Sequence, residues 1–192
     1  MVGSKMKFEE VKKQAENCKK CDLWKTRTNV VFGEGPTDAK IMLIGEAPGF
    51  NEDKQGKPFV GRAGKFLDEL LKIANLKRED VYITNIVKCR PPNNRDPTDE
   101  EIKACSFYLD FQINYIKPKV IITLGRHASR VIFEKYNLYF EGISKEHGKA
   151  REVSNLFGKL KIIQMYHPAA AIYNQSLRSI LIEDFKKAIG NV

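Results

Sequence analysis

No run of apolar residues in this sequence approaches the roughly 18 that a membrane-spanning helix needs. The N-terminus also lacks the apolar core of a secretory signal, so a cytoplasmic protein without membrane association is expected. Internal repeats are absent, which sets repeat architectures aside. Cysteine is scarce, with four in 192 residues, and a chain of this length buries a core without disulfides. Histidine is scarcer, at three. Residues 1–5, ahead of Met6, are expected to be a disordered or expression-derived start.

What remains is a soluble globular composition, 42% hydrophobic and 30% charged, in one domain spanning residues 1–192. The net charge of +9 attracts polyanions and speeds encounter with nucleic acid, although a merely solvated surface would carry it too. Charge alone names no activity. Any enzymatic function has to come from a pocket.

The chain is organised around Ile41–Gly49, where four apolar residues read as a buried strand and the glycines and proline after them force a turn. In an open α/β sheet ligands bind beyond the carboxyl ends of strands, which puts Glu46 where chemistry is expected. Before it, residues 5–16 predict a helix, and residues 22–40 a loop with a short edge strand at Val30–Phe32. After it come a polar loop from Glu46 to Arg62 and a helix over Ala63–Ala74. A strand follows at Val81–Val87, with Asn85 at its pocket end, and then a loop from Cys89 to Pro97. Thr98 and Glu101 form a capping box for a helix whose Ile102, Cys105, Leu109, Ile113 and Ile116 recur at helical spacing. The remaining strands are Val120–Leu124 and Leu160–Tyr166, with helices from Gly125 to Phe133 and from Leu177 to Ile189. Residues 137–158 read as irregular or hairpin-like. Strands alternating with helices predict a parallel sheet with helices on both faces.

The cysteines are Cys18, Cys21, Cys89 and Cys105. Two close one helix, one lies past a strand end, and one sits on the buried side of a helix start. A closed four-thiolate site would hold all of them, and such a site suits zinc or an iron–sulfur cluster. Free thiols and a redox C-x-x-C stay open; the latter leaves Cys89 and Cys105 unexplained.

The segments Gly45-Glu46-Ala47-Pro48-Gly49, Glu52-Asp53, Gly56–Gly64, Thr84–Pro92 and His167-Pro168, in this order and with the four cysteines, resemble the family 4 uracil-DNA glycosylases. This is the iron–sulfur branch found largely in thermophiles, and the resemblance runs from Cys18 to the last helix. It implies a three-layer α/β/α sandwich around a four-stranded parallel sheet, and hydrolytic removal of uracil from double- or single-stranded DNA. It also implies a structural [4Fe-4S] cluster on Cys18, Cys21, Cys89 and Cys105, with zinc as the alternative. A monomer is expected, with a sliding clamp as a possible partner.

The reaction assigns roles. Cleavage builds positive charge on the sugar and negative charge on the departing base. Phe59 would stack on the flipped base or anchor its own loop. Asn85 carries an acceptor and a donor that match uracil O4 and N3–H, a pattern that cytosine reverses. Neutral His167 would donate to uracil O2. Family 1 enzymes carry an Asp one position after the residue matched by Glu46, and here that position is Ala47. The water-orienting role therefore falls first to Glu46 and second to Glu52, while Asp53 could be a surface acid. Gly45 and Ala47 complete the substrate-binding set. Arg62, Lys88, Arg90, Arg95 and Arg178 are phosphate candidates. His127 and His147 receive no role. With no lysine at a strand end, a monofunctional hydrolase leaving an abasic site is expected. Two competing readings are a glycosylase of broader deaminated-base or mismatch specificity and a non-enzymatic metal-containing nucleic-acid-binding protein.

Overall fold

Strand β1 (Ile41–Gly45) is buried along its whole length, as are β2 (Val81–Asn85) and β3 (Val120–Leu124). These continuous apolar strands need cover on both faces, and the computed structural model supplies it. The structure describes residues 6–155 and 158–189; the start expected to be disordered, residues 1–5, lies outside them. With β4 (Ala150–Asn155) and β5 (Gly158–Met165), the strands form one sheet in the order β2-β1-β3-β5-β4.

The pairs β1–β2, β1–β3 and β3–β5 are parallel, so the expected four-stranded parallel sheet is present. The strand count nonetheless needs correcting to five. The hard-to-read segment 137–158 supplies β4, which runs antiparallel to β5 as a hairpin at the sheet edge. Its sequence, Ala-Arg-Glu-Val-Ser-Asn, lacks a buried face to betray it, and charged residues on an edge strand discourage further pairing.

Helices α1 (Phe8–Glu16), α2 (Phe50–Gln55), α3 (Arg62–Ile73) and α4 (Asp99–Ile116) precede or interleave the first strands. The others are α5 (Arg126–Lys135), α6 (Ile143–Glu146), α7 (Pro168–Ile172) and α8 (Gln175–Ile189). Alternation along β1 divides the core. Met42 and Ile44 pack with Val11 of α1, Leu109 of α4 and Phe133 of α5, whereas Leu43 packs with Leu67 and Leu70 of α3 and Phe185 of α8. Each such side chain contributes about 1.5–3 kcal/mol on burial, so the three layers hold one another in place.

Two local expectations change. Val30–Phe32 is not an edge strand: the chain touches the sheet at the single bridge Glu34–Ile83, and Val31 N–H donates to the Lys88 carbonyl at 2.8 Å. The polar loop after Glu46 also contains α2, closed by Gly56 in the left-handed region at φ 69°. The Thr98–Glu101 capping box forms as expected, with Glu101 N–H donating to Thr98 Oγ1 at 3.3 Å and Thr98 N–H to Glu101 Oε2 at 2.9 Å.

Candidate active site

The carboxyl ends of the parallel strands open onto one cavity of about 330 Å³, lined by Glu46, Glu52, Phe59, Asn85 and His167 among others. Gly45 pairs with Asn85 across β1 and β2, which sets Glu46 beside it at the rim. Gly45 is required by space. A Cβ there would lie 2.5 Å from Asn85 Oδ1 and 2.7 Å from Phe59 Cζ. The same close approach brings the Asn85 amide and the Phe59 ring together.

His167 follows β5 and caps α7. Ala169 N–H donates to its Nδ1 at 3.1 Å, so in the neutral ring the proton resides on Nε2. Burial lowers its pKa to about 4, against a smaller opposing pull from Glu52. The imidazole is therefore neutral at physiological pH and its Nε2–H is a donor. Its ring lies 5.7 Å from that of Phe59, stacked at 28°.

Phe59 sits in the left-handed region at φ 51°, a strained conformation for a non-glycine residue. Its surroundings hold it there. Arg78, which sequence reasoning passed over, donates to the Phe59 carbonyl at 3.0 Å and to the Pro58 carbonyl at 2.6 Å, and pairs with Asp68 at 2.9 Å. A Cβ on Gly64 would come within 1.8 Å of the Phe59 carbonyl oxygen. Phe59 thus lines the cavity and is also fixed as the anchor of its loop.

The carboxylates separate by their partners. Glu52 Oε1 accepts from the Val60 and Gly61 amides at 2.9 and 2.8 Å, so it holds the Phe59 loop. Asp53 is no surface acid: it is buried and accepts from the Thr28 and Asn29 amides. Glu46 is half-buried, and that burial raises its pKa above the usual carboxylate range, with Asp96 adding to the rise and His127 and Arg126 opposing it. Glu46, Asp96 and His127 bring oxygen and nitrogen atoms within 4.8 Å of one another. Asp96 Oδ2 also receives Arg126 Nη2 at 3.1 Å and lies 3.0 Å from His127 Nε2. This network was missed, and its signal in the sequence was only the helix start after Gly125. His147 stands apart, with Nδ1 2.7 Å from Asp184 on α8.

The cationic candidates divide sharply. Lys88 is buried and cannot reach a phosphate, which corrects its assignment. Its Nζ donates to Thr84 Oγ1, the Asn85 carbonyl and Gln112 Oε1 at 2.6, 2.7 and 2.7 Å, and burial drags its pKa down to about 7. Arg95 lines the cavity, but its guanidinium is taken by Glu101 in two hydrogen bonds of 2.9 and 2.6 Å. Arg178 pairs with Glu69 and lies over the Phe66 ring at 4.2 Å. Arg62 and Arg90, by contrast, have no carboxylate partner among the described residues; they rest on Tyr173 and Phe50.

The four cysteines line one small cavity between the end of α1, the loop after β2 and the start of α4. Arg27 Nη1 donates to Cys89 Sγ at 3.1 Å, and Lys88 N–H donates to Cys105 Sγ at 3.3 Å. Burial raises the Cys21 and Cys89 thiols and pushes Cys105 up to about 11, so a cation is needed to hold them as thiolates. A set of four thiolates suits zinc or an iron–sulfur cluster.

A family model described as the uracil DNA glycosylase superfamily matches residues 32–189. A type-4 uracil-DNA glycosylase of Sulfurisphaera tokodaii is 55% identical over 181 residues, covering 94% of this chain and 82% of the relative. Its counterpart in Archaeoglobus fulgidus is 51% identical over 180 residues, covering 94% and 90%. The one in Thermotoga maritima is 47% identical over 183 residues, covering 94% and 92%.

Proposed function

The chain belongs to the uracil-DNA glycosylase superfamily, and on that premise we propose how its pocket hydrolyses the N-glycosidic bond of deoxyuridine in DNA. The observation that carries this reading is the meeting of Asn85, neutral His167 and half-buried Glu46 in one cavity at the strand ends. The flipped uracil lies against Phe59. The Asn85 carboxamide donates to O4 and accepts from N3–H; cytosine would leave both buried groups unpaired, at about 1–3 kcal/mol each. His167 Nε2–H donates to O2, where negative charge collects as the C1′–N1 bond breaks. A neutral imidazole is the right donor because it needs no solvation change as the charge develops.

Glu46, as a carboxylate, orients the attacking water and stabilises the positive sugar from the other side. Glu52 shapes the pocket by holding the Val60 and Gly61 amides, which leaves Glu46 as the charge for the chemical step. The products are uracil and an abasic site, with the strand unbroken.

Cys18, Cys21, Cys89 and Cys105 would hold a [4Fe-4S] cluster, whose contribution is a cross-link between the end of α1 and the β2–α4 loop rather than electron transfer. Zinc, which four thiolates also accept, is the alternative. We read residues 1–192 as one such domain, acting as a monomer. The test is incubation of purified protein with an oligonucleotide carrying one uracil, followed by alkali. Cleavage at the uracil only after alkali is expected. No alkali-labile site, or breakage without alkali, would refute the assignment.

A further inference from the structure

Two exposed aromatic side chains stand beside the cavity, each paired with an arginine. Phe50, the first residue of α2, is 58% exposed, and Tyr173, at the end of α7, is 82% exposed. Each carries an arginine on its ring: Arg90 lies 5.2 Å from the Phe50 centroid and Arg62 5.1 Å from that of Tyr173. Both pairs adjoin the pocket. Gly49 and Pro91, neighbours of Phe50 and Arg90, line it, as does Ala63 beside Arg62 and Ala169 on the helix that Tyr173 closes.

These pairs are built rather than loose. Tyr173 Oη accepts from Arg62 Nη1 at 2.7 Å, and Tyr173 is fixed between α7 and α8, where Asn174 Oδ1 caps the Leu177 amide at 3.2 Å. Arg90 Nε donates to Asn94 Oδ1 at 2.7 Å. Among the described residues neither arginine meets a carboxylate, whereas Arg95 and Arg178 both do. Exposed aromatic faces with unneutralised guanidinium groups match nucleotides that are unpaired and negatively charged.

Building on the uracil-excision reading, we infer that Phe50 and Tyr173 are stacking platforms for the bases flanking a uracil in single-stranded DNA, with Arg90 and Arg62 holding the adjoining phosphates. A paired base has its faces covered by its neighbours, so a duplex gains little from such platforms. An unpaired strand gains at both.

The test measures binding of a thymidine oligonucleotide carrying one 2′-fluoro-2′-deoxyuridine, which resists hydrolysis, as a single strand and as a duplex. Phe50→Ala and Tyr173→Ala should each weaken single-strand binding roughly tenfold, and weaken duplex binding by much less. Phe50→Tyr and Tyr173→Phe, which keep the ring, should restore affinity. Arg62→Ala and Arg90→Ala should each reduce the salt dependence of single-strand binding by about 0.7 in log–log slope. Equal losses on single strand and duplex would show a duplex wedge instead and overturn the inference, as would unchanged single-strand affinity or unchanged slopes. Binding that behaves as stated, with no uracil released from the hydrolysable oligonucleotide, would refute the excision reading alone.

Discussion

The five-residue stretch from Asn85 to Cys89 separates two regions built on opposite principles. At the Asn85 end, Asn85, Glu46 and His167 line an open cavity. At the Cys89 end the thiols close on a small cavity and receive hydrogen bonds from Arg27 and the Lys88 amide. One region keeps its groups available and the other commits them. Chemistry should therefore be lost by changing the first, and stability by changing the second.

Lys88 ties the two together, holding the Asn85 carbonyl with its ammonium and Cys105 with its amide.

The largest effect on excision is expected at the Asn85 amide. Asn85→Ala should lower the single-turnover rate by about three to four orders of magnitude, because a site built to hydrogen-bond its substrate depends on that pairing. Affinity for uracil-free duplex should stay within a few-fold, since backbone contacts set it.

His167→Ala should cost roughly 10²–10³ in the same rate, the usual loss on removing one donor to a developing anion. The remaining rate should have the wild-type pH dependence near neutrality, because the imidazole is already neutral above about 4.

Glu46→Gln sharpens the pH argument. Burial raises the Glu46 pKa from the ordinary 4.5, and in the proposed mechanism the carboxylate is the working form, so activity should fall as pH drops through that raised value. His167 titrates at about 4 and adds nothing until lower pH. The acid limb should vanish in Glu46→Gln, with a rate lower by about a hundredfold. A limb that persists would move the titration to another group.

Lys88→Met should have a smaller effect on excision, about tenfold, together with a stability loss of about 3 kcal/mol. It strips the donor from three buried oxygens at about 1–3 kcal/mol each before relaxation. Rate and chemical denaturation measured on one preparation check both.

The sequence exposed most of this comparison. Continuous apolar runs announced β1, β2, β3 and β5, and the residues just past their ends announced Glu46, Asn85 and His167, because strand ends and turn residues leave a local pattern. The cysteines were legible as a set for a similar reason. What was hidden depends on contacts made in three dimensions. Lys88 reads as a surface cation until Gln112 and Thr84 are seen around it. Arg78 holds the Phe59 loop from 19 residues away, and nothing local in its own turn says so. The charges of Arg95 and Arg178 looked available for DNA because Glu101 and Glu69, their partners, are brought to them by the fold. Strand β4 was unreadable because its exposed edge carries no apolar alternation.

The division between the two regions is tested most directly by Cys18→Ser. The measurement is the single-turnover rate of uracil release at a temperature where circular dichroism shows the variant folded, with its melting temperature taken alongside. A rate within about threefold of wild type and a melting temperature lower by about 10 °C are expected, since a thiol-held cross-link contributes to folding and not to bond cleavage. A loss of a hundredfold or more in the chemical step, in a protein whose fold and melting temperature are unchanged, would contradict the account.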